Sequence, residues 1–130
     1  DYREDYQPGA RRFDMGEKSN PPLLMGASAA LDFLLQFGIE EIAGTLGVAT
    51  QTIADEAAGI GLPSASIGIR APHFLALEFP EGVPDGLTER LAAAQVYVSL
   101  RGSSLRVTPH LYNTAEDTAA LIATLRECLA

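Results

Sequence analysis

The sequence holds little of what covalent and metal chemistry draws on: one cysteine, Cys128, one lysine, Lys18, and two histidines, His73 and His110, in 130 residues. A lone cysteine excludes an internal disulfide, and nothing has the spacing of a metal-ligand cluster, so no metal is expected and a reducing, cytoplasmic setting fits. Positive charge is equally scarce. With 9 Lys and Arg against 17 Asp and Glu the formal net charge is −8, which argues against a nucleic-acid partner, because such binding rests on neutralising phosphates with a basic surface. No apolar run approaches the roughly 18 residues that span a bilayer, so no membrane segment is expected. The polar start DYREDYQPGARR resembles neither a signal nor a transit peptide. No methionine precedes Met15, and the chain is expected to be part of a longer protein. Its length is that of one ordinary domain, enough to bury a usable core without metal or disulfide support.

What is present falls into segments. Residues 1–20 are polar and broken by Pro8 and Gly9, and read as an extended connecting segment. Ser19, Asn20 and the pair Pro21–Pro22 then form a helix start, since Ser or Asn caps free amides and proline is tolerated in the first turn. The helix runs to Gly38, with Leu24, Ala27, Leu31, Leu34 and Leu35 at helical spacing and Met25, Phe33 and Phe37 widening the apolar arc. A helix so apolar on most sides needs cover from more than one direction. Ile39, Ile42, Ala43, Leu46, Ile53 and Ala57 predict a second helix, weakened by Gly44 and Gly47, with Glu40 and Glu41 favourably placed in its first turn. The run SASIGIRAPHFLALEF over 64–79 predicts one or two strands, interrupted at Ala71 and Pro72. A short helix over 85–94, two alternating strands over 95–109 and an amphipathic helix from Ala115 complete the chain. The fold class expected is α+β: a small antiparallel or mixed sheet of three to four strands with helices on one face, preceded by the extended segment and two helices.

The strand pair makes the sharpest structural forecast. If Leu100 pairs with Leu105 across a loop of Arg101 to Ser104, Val98 falls opposite Val107 and Ser99 opposite Arg106. Val96, Val98, Leu100, Leu105 and Val107 then face a core, while Tyr97, Ser99, Arg106 and Thr108 face the other way. Arg106 thus stands on a stiff strand, and its planar fork suits a carboxylate or phosphate. The competing reading is an ion pair with one of the 17 acidic residues, or snorkelling across the sheet. Asn113 or Thr114 can cap the last helix, with Asp117 in a capping-box position. His110 and His73 read as hydrogen-bonded loop histidines, and Cys128 as a small core residue rather than a nucleophile.

The blocks YQPGARRFDMGEKSNPPLLMGASAALDFL, RAPHFLALEF and VYVSLRGSSLRVTPHLYNTAEDTAALIATL resemble, in order, the C-terminal region of class V aminotransferases. These are pyridoxal-phosphate enzymes of fold type I, a superfamily that includes cysteine desulfurases and kynureninases. The resemblance implies that residues 1–20 are an interdomain segment and residues 21–130 the small C-terminal domain that closes over the substrate. It further implies a missing large domain, a homodimeric parent enzyme, and an amino-acid or keto-acid substrate. Arg106 matches the family arginine that grips the α-carboxylate. RRFDMGEKSN matches a stretch near the partner subunit's cofactor phosphate, which makes Ser19 and Asn20 candidate phosphate contacts alongside their capping role. The family's Schiff-base lysine and its acidic partner for the pyridine nitrogen belong to the large domain, and Lys18 lies in the wrong motif. No catalytic residue is therefore expected in this chain, which alone should not catalyse transamination. Only RGSS separates the two strands, where desulfurases carry a catalytic cysteine on a loop, so aminotransferase or lyase chemistry is preferred. The alternatives from other classes are a free-standing module that binds a small carboxylate without chemistry, and a dimerisation domain associating through the apolar helix at 22–37.

Overall fold

The computed structural model describes residues 5–14 and 20–130. The chain forms two compact units, Asp1–Phe37 and Gly38–Ala130. In the first, Gly9–Phe13 form a 3-10 helix within the stretch read from sequence as a connecting segment. Helix α1 spans Pro21–Phe37. Its start is capped as expected: the Asn20 carbonyl accepts from the Leu24 N–H at 3.0 Å, and Asn20 Oδ1 accepts from the Leu23 N–H at 3.3 Å. Leu23, Leu24, Met25, Leu31, Phe33 and Leu35 are all exposed, and no residue of α1 is buried.

The second unit begins with α2, Ile39–Ala58. Gly44 and Gly47 do not interrupt it. Gly47 is buried, and a Cβ there would meet the Pro72 ring at 3.6 Å, so its small size goes with close passage of the Pro72 loop. Strand β1 (Leu75–Glu78), helix α3 (Leu87–Ala93), strands β2 (Ser99–Arg101) and β3 (Ser104–Val107), and helix α4 (Ala115–Leu129) follow. The sheet is antiparallel throughout, in the order β1-β3-β2, with β3 in the centre. Leu75, Leu77, Leu105 and Val107 share one face and are buried against Ile53, Ala54 and Ala57 of α2, Leu87 and Leu91 of α3, and Leu121, Ile122, Leu125 and Cys128 of α4. Cys128 is thus the core residue the sequence suggests.

Three expectations change. Of the one or two strands expected over 64–79, one forms, β1 after the Ala71–Pro72 interruption; residues 64–74 form none, Ile69 donating back to Ser66 and Phe74 to Ala71, with Ile67 and Ile69 exposed. An alternating pattern needs a partner ladder, and on the approach to β1 the chain turns instead; the Pro63 carbonyl accepts the Glu78 N–H at 2.9 Å. Second, the hairpin turn is tighter than the four residues foreseen, because Arg101 pairs with Ser104 and only Gly102 and Ser103 remain between the strands. Gly102 has φ of 59° and Ser103 is not left-handed, the arrangement of a turn with glycine at its first central position. Third, β2 starts at Ser99, and Val96 and Val98 pack on the core from the connection before it. That connection leaves α3 through Gln95, at φ 60° among described residues the one left-handed non-glycine. Val96 N–H bonds the Leu91 carbonyl and Gln95 N–H that of Ala92, so a two-bond helix stop holds Gln95 in this conformation.

Candidate functional site

The opposite face of the sheet carries the polar side chains. Register places Ala76, Arg106 and Ser99 in one row across β1, β3 and β2, and Glu78, Ser104 and Arg101 in the next. Directly opposed residues point to the same face, so Arg106 stands on the central strand with a methyl group on one side and a serine hydroxyl on the other. The Ser99–Arg106 and Leu100–Leu105 pairs are those expected from sequence. Arg106 is exposed, and among the described residues it makes no ion pair. Its guanidinium carbon lies 5.1 Å from the centre of the Phe74 ring, a cation–π contact that holds the head without using its N–H groups. Glu78, which the register places on this face opposite Ser104, accepts from Ser104 Oγ at 2.8 Å. The arginine is therefore neither buried nor locked to an acid, and its fork is open to an anion.

Phe74 follows Pro72, and a network behind it fixes this approach. Thr50 is fully buried on α2 and donates its hydroxyl to the Pro72 carbonyl at 2.8 Å, while accepting from Arg70 Nη1 at 2.7 Å. Arg70 Nη2 donates to Gln51 Oε1 at 3.0 Å, and Gln51 Nε2 to Asp55 Oδ1 at 2.7 Å. Arg70 Nε is buried and unpartnered among the described residues, a local cost in a cluster that otherwise clips the 70–72 segment to α2. Neither Phe74 beneath Arg106 nor this clip was found from sequence. Both depend on contacts across 19 or more residues, for which no local spacing gives a signal. Arg101 escapes the sequence pattern for a different reason: a four-residue loop leaves it off the ladder, whereas the two-residue turn with Gly102 at its first position puts it on the strand beside Arg106.

The remaining candidates separate. Asn20 is occupied as a helix cap through its Oδ1, and Ser19 lies outside the described residues, as does Lys18. The His110 ring stacks on Tyr112 at 5.1 Å, and the His110 backbone N–H donates to Asn113 Oδ1 at 2.9 Å. Asp117 Oδ2 accepts from the Thr114 N–H at 2.9 Å and from Asn113 Nδ2 at 3.1 Å, the capping arrangement foreseen. These donors, the Thr114 N–H first, hold the Asp117 carboxyl below its ordinary range. The Thr114 side chain, followed by backbone N–H, does the same for Glu116. A cleft of about 460 Å³ lies between the 94–98 connection and the start of α4, lined by Tyr97, Thr108, Tyr112, Asn113 and Asp117 among others. Arg106 does not line it. The polar groups of Asn113 and Asp117 are already bonded to one another, so this cleft offers little free recognition chemistry. Among the described residues no group of three or more His, Cys, Asp or Glu could hold a metal ion, and no single helix is long and apolar enough to cross a membrane.

Comparison with known proteins gives a fold and no more. The sequence matches no protein-family model and no curated protein. A solved structure named "NIFS-LIKE PROTEIN" is similar over 97% of this chain, with a TM-score of 0.75 and 20% identity. This chain spans 38% of the length of that neighbour, so it has the fold of a part of a NifS-like protein.

Proposed function

We propose that the chain is the C-terminal, substrate-binding part of a pyridoxal-phosphate enzyme of the class V aminotransferase superfamily, and that Arg106 binds the substrate's α-carboxylate. The observation that carries this reading is Arg106 itself: exposed, without an ion pair among the described residues, on the central strand of the sheet. The fold similarity to part of a NifS-like protein supports it, as does the resemblance of the sequence blocks. A hydrogen bond to a charged group is worth about 1.5–3 kcal/mol net, and a fork can make two. Arg106 would thus supply a large share of the binding of an amino or keto acid and would orient it from the carboxylate end.

The described residues do not fit a pyridoxal-phosphate site. They contain no lysine, so the cofactor would be held by a large domain beyond this chain. In this reading residues 1–20 connect the two domains, residues 21–130 form the smaller one, the parent enzyme is a homodimer, and Ser19 and Asn20 approach the partner subunit's cofactor. A cytoplasmic enzyme accords with the single buried cysteine.

The test is a titration of the chain with butyrate, read from the Nε–Hε signals of its arginines in heteronuclear NMR. Butyrate should move the Arg106 signal saturably, and Arg106→Gln should weaken binding by roughly 10- to 150-fold, the equivalent of one charged hydrogen bond or more. Unchanged butyrate binding in a folded Arg106→Gln protein would remove the proposal.

A further inference from the structure

The tight hairpin brings a second arginine to the same face. Arg101 pairs with Ser104, and Ser104 and Arg106 are two residues apart on β3, so Arg101 and Arg106 point to the same side. They are diagonal neighbours, with Cα atoms expected roughly 7–8 Å apart. Both are exposed, and among the described residues neither makes an ion pair. Only Ser99 and Ser104 lie between them on the sheet surface. Ser104 directs its hydroxyl to Glu78 on the far strand. Phe74 flanks Arg106 on the β1 side, and Arg101 is on β2, so the gap between the two guanidinium groups opens over small hydroxylated side chains.

Two like charges on adjacent positions of a short sheet repel, and unpaired they weaken the fold. This chain has 17 acidic residues with which to neutralise them, yet among the described residues none pairs with either arginine, and Glu78 of β1 meets Ser104 instead. A single carboxylate on Arg106 would leave Arg101 unmatched. We infer that the face binds a small acid with two carboxylates, one on Arg106 and the second on Arg101, with Ser99 and Ser104 beneath the carbon chain. The inference rests on the assignment of Arg106 as a carboxylate grip and narrows the substrate class to amino or keto acids bearing a side-chain carboxylate.

Succinate and butyrate, matched in chain length, are the probes, titrated into the 130-residue chain by the NMR readout above. Succinate should bind at least tenfold more tightly and should shift the Nε–Hε signals of both arginines. Arg101→Gln should bring the succinate-to-butyrate ratio close to one by weakening succinate far more than butyrate, and Arg106→Gln should weaken both ligands. Arg126→Gln, at an exposed position on α4, should leave the ratio as it is; a fall there equal to that in Arg101→Gln would reduce the preference to bulk charge and overturn the inference. A ratio unaltered by Arg101→Gln would also overturn it. If butyrate binding depends on Arg106 but succinate has no advantage, the second subsite fails and the Arg106 assignment stands. If neither ligand moves the Arg106 signal, both fail together. A circular-dichroism melt checks that each variant is folded.

Discussion

The two faces of the three-stranded sheet are built from alternate residues of the same strands, and they obey different rules. On one, Leu75, Leu77 and Leu105 have no exposed surface and are covered by α2, α3 and α4. On the other, Ala76, Ser99, Ser104 and Arg106 leave a shallow surface on which a charged head rests against one aromatic ring. Packing determines the first face, so every residue there answers to its neighbours' shapes. Fewer contacts determine the second, and the arginine in the middle of it has no acidic partner among the described residues, which is the ground of the ligand role proposed for it. The buried side gives the ribbon its stiffness, and the open side uses that stiffness to hold a guanidinium in place.

The largest test of this contrast compares neighbours on one strand. Leu105→Ala should destabilise the chain by about 2–5 kcal/mol, the range for emptying a well-packed leucine site. Arg106→Ala should cost no more than about 1 kcal/mol, since only an exposed cation–π contact is lost. Urea unfolding followed by circular dichroism measures both. Equal losses would mean that Arg106 is a structural residue and that the two faces do not differ as argued.

A smaller effect is expected where the buried and open sides are joined. Thr50 lies in the interior, but its hydroxyl holds the Pro72 carbonyl two residues before Phe74. Thr50→Val keeps the shape and leaves both the carbonyl and Arg70 Nη1 without this partner, which should cost about 1–3 kcal/mol. The aromatic signals of Phe74 and the Nε–Hε of Arg106 should shift as well, although Thr50 touches neither in the contacts observed. Loss of stability with an unmoved Arg106 signal would show that the clip serves the core alone.

Much of this division was legible in the sequence, and the reason is local periodicity. The alternation of Leu100, Leu105 and Val107 with Ser99 and Arg106 fixed both register and facing, and Asn20, Gly38 and Thr114–Asp117 marked helix ends through chemistry confined to one turn. The α+β class followed from the order of those elements. Residues 64–74 misled because Ile67 and Ile69 alternate as a strand would but have no partner ladder; whether one exists is decided by chain segments far away in sequence. The same nonlocality hid Phe74 and the Arg70–Thr50 clip. Arg101 was hidden by two residues' difference in turn length, which changes a solvated loop arginine into half of a paired cationic surface.

The smallest effect concerns the cap of α4, the helix that covers the apolar face. Asp117 is held below the ordinary carboxylate range by the Thr114 N–H and then by Asn113, and Glu116 is lowered by Thr114. A folded-state value lower than the unfolded one means that the unfolded chain binds protons first. The stabilisation is therefore complete above the ordinary carboxylate range and fades as the pH falls from that range through the depressed folded values. Asp117→Asn removes the ionised acceptor, so the variant should melt below the wild type at neutral pH, with the gap closing as the solution is acidified through that window. Arg106→Gln should show no such convergence, because arginine keeps its charge across the range. Thermal melts at stepped pH values read both. A gap in Asp117→Asn that stays constant on acidification would mean that Asp117 acts at the cap through hydrogen-bond geometry and not through its charge.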